Sequence, residues 1–148
     1  MIRSARPDDA PVIARLQILM ARETEGLELD PDTVGRGVAA VFADPGRGGY
    51  VVAESDGRIA GCLLVTPEWS DWRNGTVLWI QSVYVLPEQR GRGVYRALWE
   101  HLRERVEASP DLHGLRLYVD KRNTAAQRVY TRLGMTREHY DLFEWLKE

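Results

Sequence analysis

The segment Val83-Tyr84-Val85-Leu86-Pro87-Glu88-Gln89-Arg90-Gly91-Arg92-Gly93-Val94-Tyr95-Arg96-Ala97-Leu98 joins an apolar run to an amphipathic helix through a short turn with glycines at 91 and 93. Glycine at both positions lets a ligand approach the backbone where a side chain would obstruct it. The amides that open the helix lack intrahelical acceptors, and the helix dipole favours an anion beside them. Arg90, Arg92 and Arg96 add positive charge. Pro-x-x-Arg-Gly-x-Gly set between a strand and a periodic helix therefore predicts a pyrophosphate cradle built from Arg90, Gly91, Arg92, Gly93, Val94, Tyr95 and Arg96. An isolated Gly-x-Gly would read only as a tight turn with solvated arginines. The chain has no Gly-x4-Gly-Lys-Ser/Thr, and these glycines do not follow Gly-x-Gly-x-x-Gly, so nucleoside-triphosphate and dinucleotide motifs are excluded.

Upstream of that turn, Thr76 to Leu86 is nearly continuous in apolar residues and predicts a central strand buried on both faces. Tyr50 to Glu54 and Arg58 to Thr66 flank Asp56-Gly57, the turn signal of an antiparallel hairpin. Ile2 to Arg6 predicts a first strand. A helix follows it with Val12, Ile13, Leu16, Leu19 and Met20 on one stripe, and a second is expected around Val34 to Phe42 despite Gly35 and Gly37. Glu68 to Gly75 is expected to be a polar, aromatic loop. Downstream, the pattern predicts a helix over Gly93 to Ser109, a strand over Leu115 to Val119, a helix over Asn123 to Leu133 closed by Gly134, and a strand over His139 to Leu146. The order β-α-α-β-β-β-α-β-α-β predicts an α/β fold, a mixed sheet with helices on both faces. No linker or repeat breaks it, so residues 1–148 are expected to form a single domain.

Composition narrows the partners. The 148 residues carry 20 Lys plus Arg against 22 Asp plus Glu, a formal charge of -2, which provides no global field for nucleic acid or an anionic membrane. One cysteine, Cys62, excludes an internal disulfide framework and favours a reducing compartment. His101, His113 and His139 lack short ligand spacing, so no metal is expected. With no apolar signal core near Met1 and no run of roughly 20 apolar residues, a soluble, cytoplasmic protein is expected, as monomer or homodimer.

Glu88-Gln89-Arg90-Gly91-Arg92-Gly93 resembles the acetyl-CoA signature of the GNAT superfamily of N-acetyltransferases, Gln/Arg-x-x-Gly-x-Gly/Ala, with Glu88 replacing the first residue. Asn123-x-x-Ala126-x-x-x-Tyr130-x-x-Leu133-Gly134-Met135 resembles the second half of the same family. The element order is similar from end to end. The resemblance implies a mostly antiparallel sheet with a splayed parallel pair, acetyl-CoA as cosubstrate, and acetyl transfer to a small-molecule or peptide amine. It implies backbone contacts from Val83, Tyr84 and Val85 to the pantetheine arm, with the N–H near Val83 facing the thioester oxygen. Asn123 would contact the same arm, Lys121 and Arg122 the adenosine phosphate, and Tyr130 would protonate the departing thiolate. A tyrosine at that place on the helical stripe also suits a core role.

The general base is not assigned by the motifs. Where some family members carry Glu, this chain has Tyr118 on one strand and Gln81 with Ser82 on the other. Water could relay the proton, or a loop carboxylate such as Glu68 or Asp71 could take it. Trp69 and Trp72 beside Glu68 and Asp71 could wall in a cationic amine, with Glu25 among the acidic residues of the helix-one connector on the same rim; a solvated acidic loop is the alternative. Charge is thus expected to be segregated, arginines at the cofactor turn and carboxylates at the acceptor mouth. A non-catalytic acyl-CoA-binding module of the same fold is the competing expectation.

Overall fold

Antiparallel pairing of three apolar segments builds the sheet. A computed structural model describes residues 1–148, whose contacts group into two units, Met1–Tyr118 and Val119–Glu148. The first unit holds β1 (Ile2–Ser4), α1 (Ala10–Glu25), α2 (Pro31–Ala43), β2 (Gly49–Ser55), β3 (Arg58–Ser70), β4 (Gly75–Val85), α3 (Val94–Ala108) and β5 (Leu112–Leu117). The sheet order is β1-β2-β3-β4-β5. The first three pairings are antiparallel, and β4 with β5 is parallel.

Local chemistry explains the joints. Asp56 and Gly57 both take positive φ, 51° and 72°, the twist that a two-residue hairpin between β2 and β3 needs. Asp30 caps α2 by accepting from the Thr33 amide at 3.0 Å. Arg3 ties β1 to its surroundings, donating to Asp9 at 2.8 Å and to Glu54 at 2.9 Å.

Helices cover both faces. Ile13 and Leu16 of α1 and Val38 of α2 pack with Tyr50, Val52, Cys62 and Tyr84. Their strand neighbours Val51, Ala53 and Leu63 are also buried, and alternation turns them to the opposite face. There α3 runs across the strands with Leu98, Trp99 and Leu102 buried.

Two expectations are corrected. Most of the expected loop Glu68–Gly75 is strand: Glu68, Trp69 and Ser70 pair with Val77, Thr76 and Gly75, leaving only residues 71–74 as the turn. Cross-strand pairing outweighs the polar composition there. Nor does His139 to Leu146 form a strand. Tyr140, Leu142, Phe143, Trp145 and Leu146 are exposed, because alternation makes a segment suitable for a sheet while only a ladder partner makes it a strand. The second unit contains α4 (Thr124–Arg132), with Gly134 at φ 93° just beyond it. No helix is long and apolar enough to cross a membrane.

Candidate active site

The centre of the site is a strand with half of one edge unpaired. Thr76 to Ile80 of β4 pair with Leu112 to Leu117 of β5, and β4 then continues through Val85 with no β5 residue opposite. The direction of its backbone follows from one bond. Leu86 donates its amide to the Ala60 carbonyl at 2.9 Å, toward β3. Backbone groups alternate along a strand, so those of Tyr84 also face β3, and those of Val83 and Val85 face the open edge. Tyr84 is therefore set apart from its two neighbours as a backbone partner for a ligand on that edge.

A bulge lies within the same stretch. Leu64 is opposite Ser82 and Val65 opposite Ile80, which leaves the exposed Gln81 as the extra residue of β4. It flips the alternation, so Tyr84 and Trp79, five positions apart, share the face that α1 and α2 cover in part.

The turn after β4 runs directly into α3. Gly91 and Gly93 adopt φ 75° and 78°, and a Cβ on either would meet no atom within 4 Å. Backbone conformation, not crowding, requires glycine there. Gly93 is the N-cap and supplies no side chain to the first-turn amides of the 15-residue α3, which point out of the helix end as an anion site does. The residues present thus fit a pyrophosphate group.

Charge segregation is not observed. Arg90 donates to both oxygens of Glu23, at 2.7 and 3.0 Å, and through Nε to the Val85 carbonyl at 2.9 Å. Arg96 pairs with Glu100 at 2.8 Å, and Glu28, beyond α1, pairs with Arg22. The basic and acidic sets interleave because α1 ends beside the glycine turn. Tyr84 completes the first group, its hydroxyl donating to Glu23 at 2.8 Å beneath the Arg90 guanidinium. Arg90 and then Tyr84 hold the Glu23 carboxyl below its ordinary range. Burial, reinforced by Glu23, pushes the Tyr84 hydroxyl up.

On the other side of Gln81 stands a second group. Glu68 accepts from Trp79 Nε1 at 2.5 Å and from Arg116 Nη1 at 2.9 Å. Arg116 lies over the Trp79 ring, 5.9 Å from its centroid, and Tyr118 stacks on Trp79 at 4.6 Å. Trp79 and Arg116 are register partners on β4 and β5, and Glu68 reaches them from β3. Sequence reasoning missed Trp79 and Arg116, and it set Glu23 among the acidic residues of the acceptor rim, whereas Glu23 pairs with Arg90 beside the glycine turn. The signal for Trp79 was its place two residues before Gln81, but register across β5 and the α1 approach are tertiary facts.

The other expected residues lie elsewhere. Trp69 follows Glu68 on β3 and so faces the opposite side of the sheet. Trp72 and Asp71 occupy the hairpin tip, where Asp71 accepts from the Trp72 amide and Trp72 is 92% exposed. Trp69 and Trp72 therefore build no wall with Glu68. Glu25 is the exposed last residue of α1. In the second unit, Asn123 caps α4 by accepting from the Ala126 amide at 3.1 Å, and Tyr130 is half-buried on that helix. Lys121 pairs with Asp141, and Arg122 with Asp120, which it pulls down to about 2. Cys62 is fully buried and its thiol is pushed up to about 12, as an inert core side chain.

Known proteins are similar to this chain in sequence and fold. Residues 14–135 match the family described as the acetyltransferase (GNAT) family. Mycothiol acetyltransferase of Streptomyces griseus is 35% identical over 147 residues, 95% of this chain and 44% of that protein. Mycothiol acetyltransferase of Rhodococcus erythropolis is 29% identical, over 96% of this chain and 56% of its own length. The chain spans about half the length of these curated relatives. A solved structure described as a possible acetyltransferase from Clostridium difficile 630 superposes with TM-score 0.93 at 39% identity, covering 100% of this chain and 97% of that one. An aminoglycoside N-acetyltransferase in complex with CoA gives TM-score 0.75 at 16% identity over 99% of each chain, a likeness of fold.

Proposed function

Because the chain belongs to the acetyltransferase (GNAT) family, we propose that it transfers an acetyl group from acetyl-CoA to a primary amine by direct attack in a ternary complex. The observation that carries this function is the open edge of β4 from Gln81 to Val85, leading into the glycine turn and the first turn of α3. Acetyl-CoA supplies the activated acyl group. The first-turn amides of α3, with Arg92 beside them, hold its pyrophosphate. Val83 and Val85 offer backbone groups to the pantetheine arm, and the Val83 N–H is a fixed dipole for charge developing on the acyl oxygen. Tyr130 keeps the role its motif implies, proton donor to the leaving sulfur.

An alkyl amine such as lysine, with a reference pKa of about 10.4, has to lose a proton before it attacks. Glu68 stands near the bulge for that task, directly or through water, with Gln81 available to orient the water. Isothermal calorimetry with acetyl-CoA, followed by CoA release across amino acids, peptides, polyamines and aminoglycosides, tests the function. Binding with turnover of at least one amine is expected, and absence of acetyl-CoA binding would end it.

One observation favours a second function, a non-catalytic acyl-CoA-binding module. Both oxygens of Glu68 already accept hydrogen bonds, from Trp79 and Arg116, which weakens it as a base. In that case acetyl-CoA binds and no amine releases CoA.

A further inference from the structure

Apart from Glu68, the group around Trp79 has no part in the reaction above, and its chemistry is specific. Arg116 commits only Nη1 to Glu68, while its remaining donors have no acceptor in the protein. A guanidinium with a free fork matches a planar carboxylate. Glu68 stands beside it, anchored independently by the Trp79 indole N–H, so it keeps its place if Arg116 turns outward. The two side chains are 39% and 43% exposed, open to a ligand on one side. Tyr118, 65% exposed and stacked on Trp79, adds an apolar surface next to both charges. Trp79 stands two residues from the Gln81 bulge, about 7 Å along the strand.

These features constrain the ligand from three sides. A molecule with only an ammonium group leaves the Arg116 fork unanswered, and one with only an anion meets the Glu68 carboxylate. A zwitterion satisfies both, and an apolar side chain covers the aromatic pair. Resting on the acetyl-transfer function above, we infer that the acceptor is a free α-amino acid with an apolar or aromatic side chain, held by its carboxylate on Arg116 and its ammonium on Glu68. The ammonium proton leaves to water. Nitrogen then bonds to the acyl carbon as the carbon–sulfur bond breaks, the second N–H proton goes to sulfur, and the products are an N-acetyl amino acid and CoA.

The test compares L-phenylalanine with L-phenylalaninamide, which differ in the carboxylate, on wild type, Arg116→Gln and Arg116→Lys. CoA release gives kcat and KM, and the Trp79 indole N–H resonance of CoA-saturated protein reports binding without chemistry. The acid is expected to exceed the amide by about 50-fold in kcat/KM, mostly through KM. That preference should fall to within about threefold in Arg116→Gln and be partly restored in Arg116→Lys. A general loss of packing would lower both substrates together and leave the preference unchanged. Equal use of acid and amide by wild type overturns the inference without needing any variant to fold, as does an indole resonance that phenylalanine does not move. An indole shift with phenylalanine but no CoA release keeps the zwitterion site and removes the transfer function instead.

Discussion

Two groups of the same composition, a carboxylate, an arginine and an aromatic ring, flank the bulge of β4, and they are built oppositely. In Glu23–Arg90–Tyr84 every part is committed: Glu23 receives three hydrogen bonds, and Arg90 spends its Nε on the Val85 carbonyl. In Glu68–Arg116–Trp79 the carboxylate is held but the guanidinium keeps its fork free, and Tyr118, stacked on the half-buried Trp79, is exposed. The first group locks the end of α1 to the cofactor turn. The second is arranged to receive something. The same residue types thus become structure or recognition according to how many of their donors the fold has used.

The comparison can be broken from either side. Trp79→Phe keeps a ring but removes the donor that anchors Glu68; acceptor kcat/KM is expected to fall about tenfold while the acetyl-CoA dissociation constant, measured by calorimetry, changes less than about twofold. Gly91→Ala probes the cofactor side alone. It forces alanine to φ 75° at a cost of about 1–2 kcal/mol, so acetyl-CoA affinity should drop roughly tenfold with no change in acceptor KM. If both variants affect both ligands alike, the two groups are not separable.

Glu23→Gln weakens the closed group and leaves its shape. Glu23 and Arg90 are each more than a third exposed, so the loss of stability on thermal melting should stay below about 1 kcal/mol. Arg90 gains freedom, and acetyl-CoA is expected to bind a few-fold more tightly, less so in high salt. The pH dependence follows from the direction of the shift. The folded-state pKa of Glu23 is depressed by Arg90 and Tyr84, so its stabilisation is fully present above the ordinary glutamate pKa of about 4.3 and is lost as pH falls through the lower folded value. The melting difference between wild type and Glu23→Gln should therefore shrink below about pH 4. A constant difference would mean that the pair contributes through packing alone.

Much of the site was readable from local pattern. Gly91 and Gly93 before a periodic helix announce the turn, since φ preference and unsatisfied first-turn amides are properties of a few consecutive residues. The hairpin at Asp56-Gly57 and the helix expected over Asn123 to Leu133 are equally local. The acceptor side was read less well. Trp69 and Glu68, neighbours in sequence, stand on opposite faces once β3 extends to Ser70, and the expected terminal strand over 139–146 has no ladder.

Short-range chemistry determined the order of elements through α4, the central strand and the glycine turn from the chain alone, because turns, caps and apolar periodicity act within about one helical turn or one hairpin. Tertiary structure alone decided that Arg90 meets Glu23 across 67 residues and that Arg116 meets Glu68 across 48. Those partners are set by strand register, by one bulge at Gln81 and by where α1 ends. A single-residue shift of register exchanges the faces of a strand, and no local signal in the sequence carries that information.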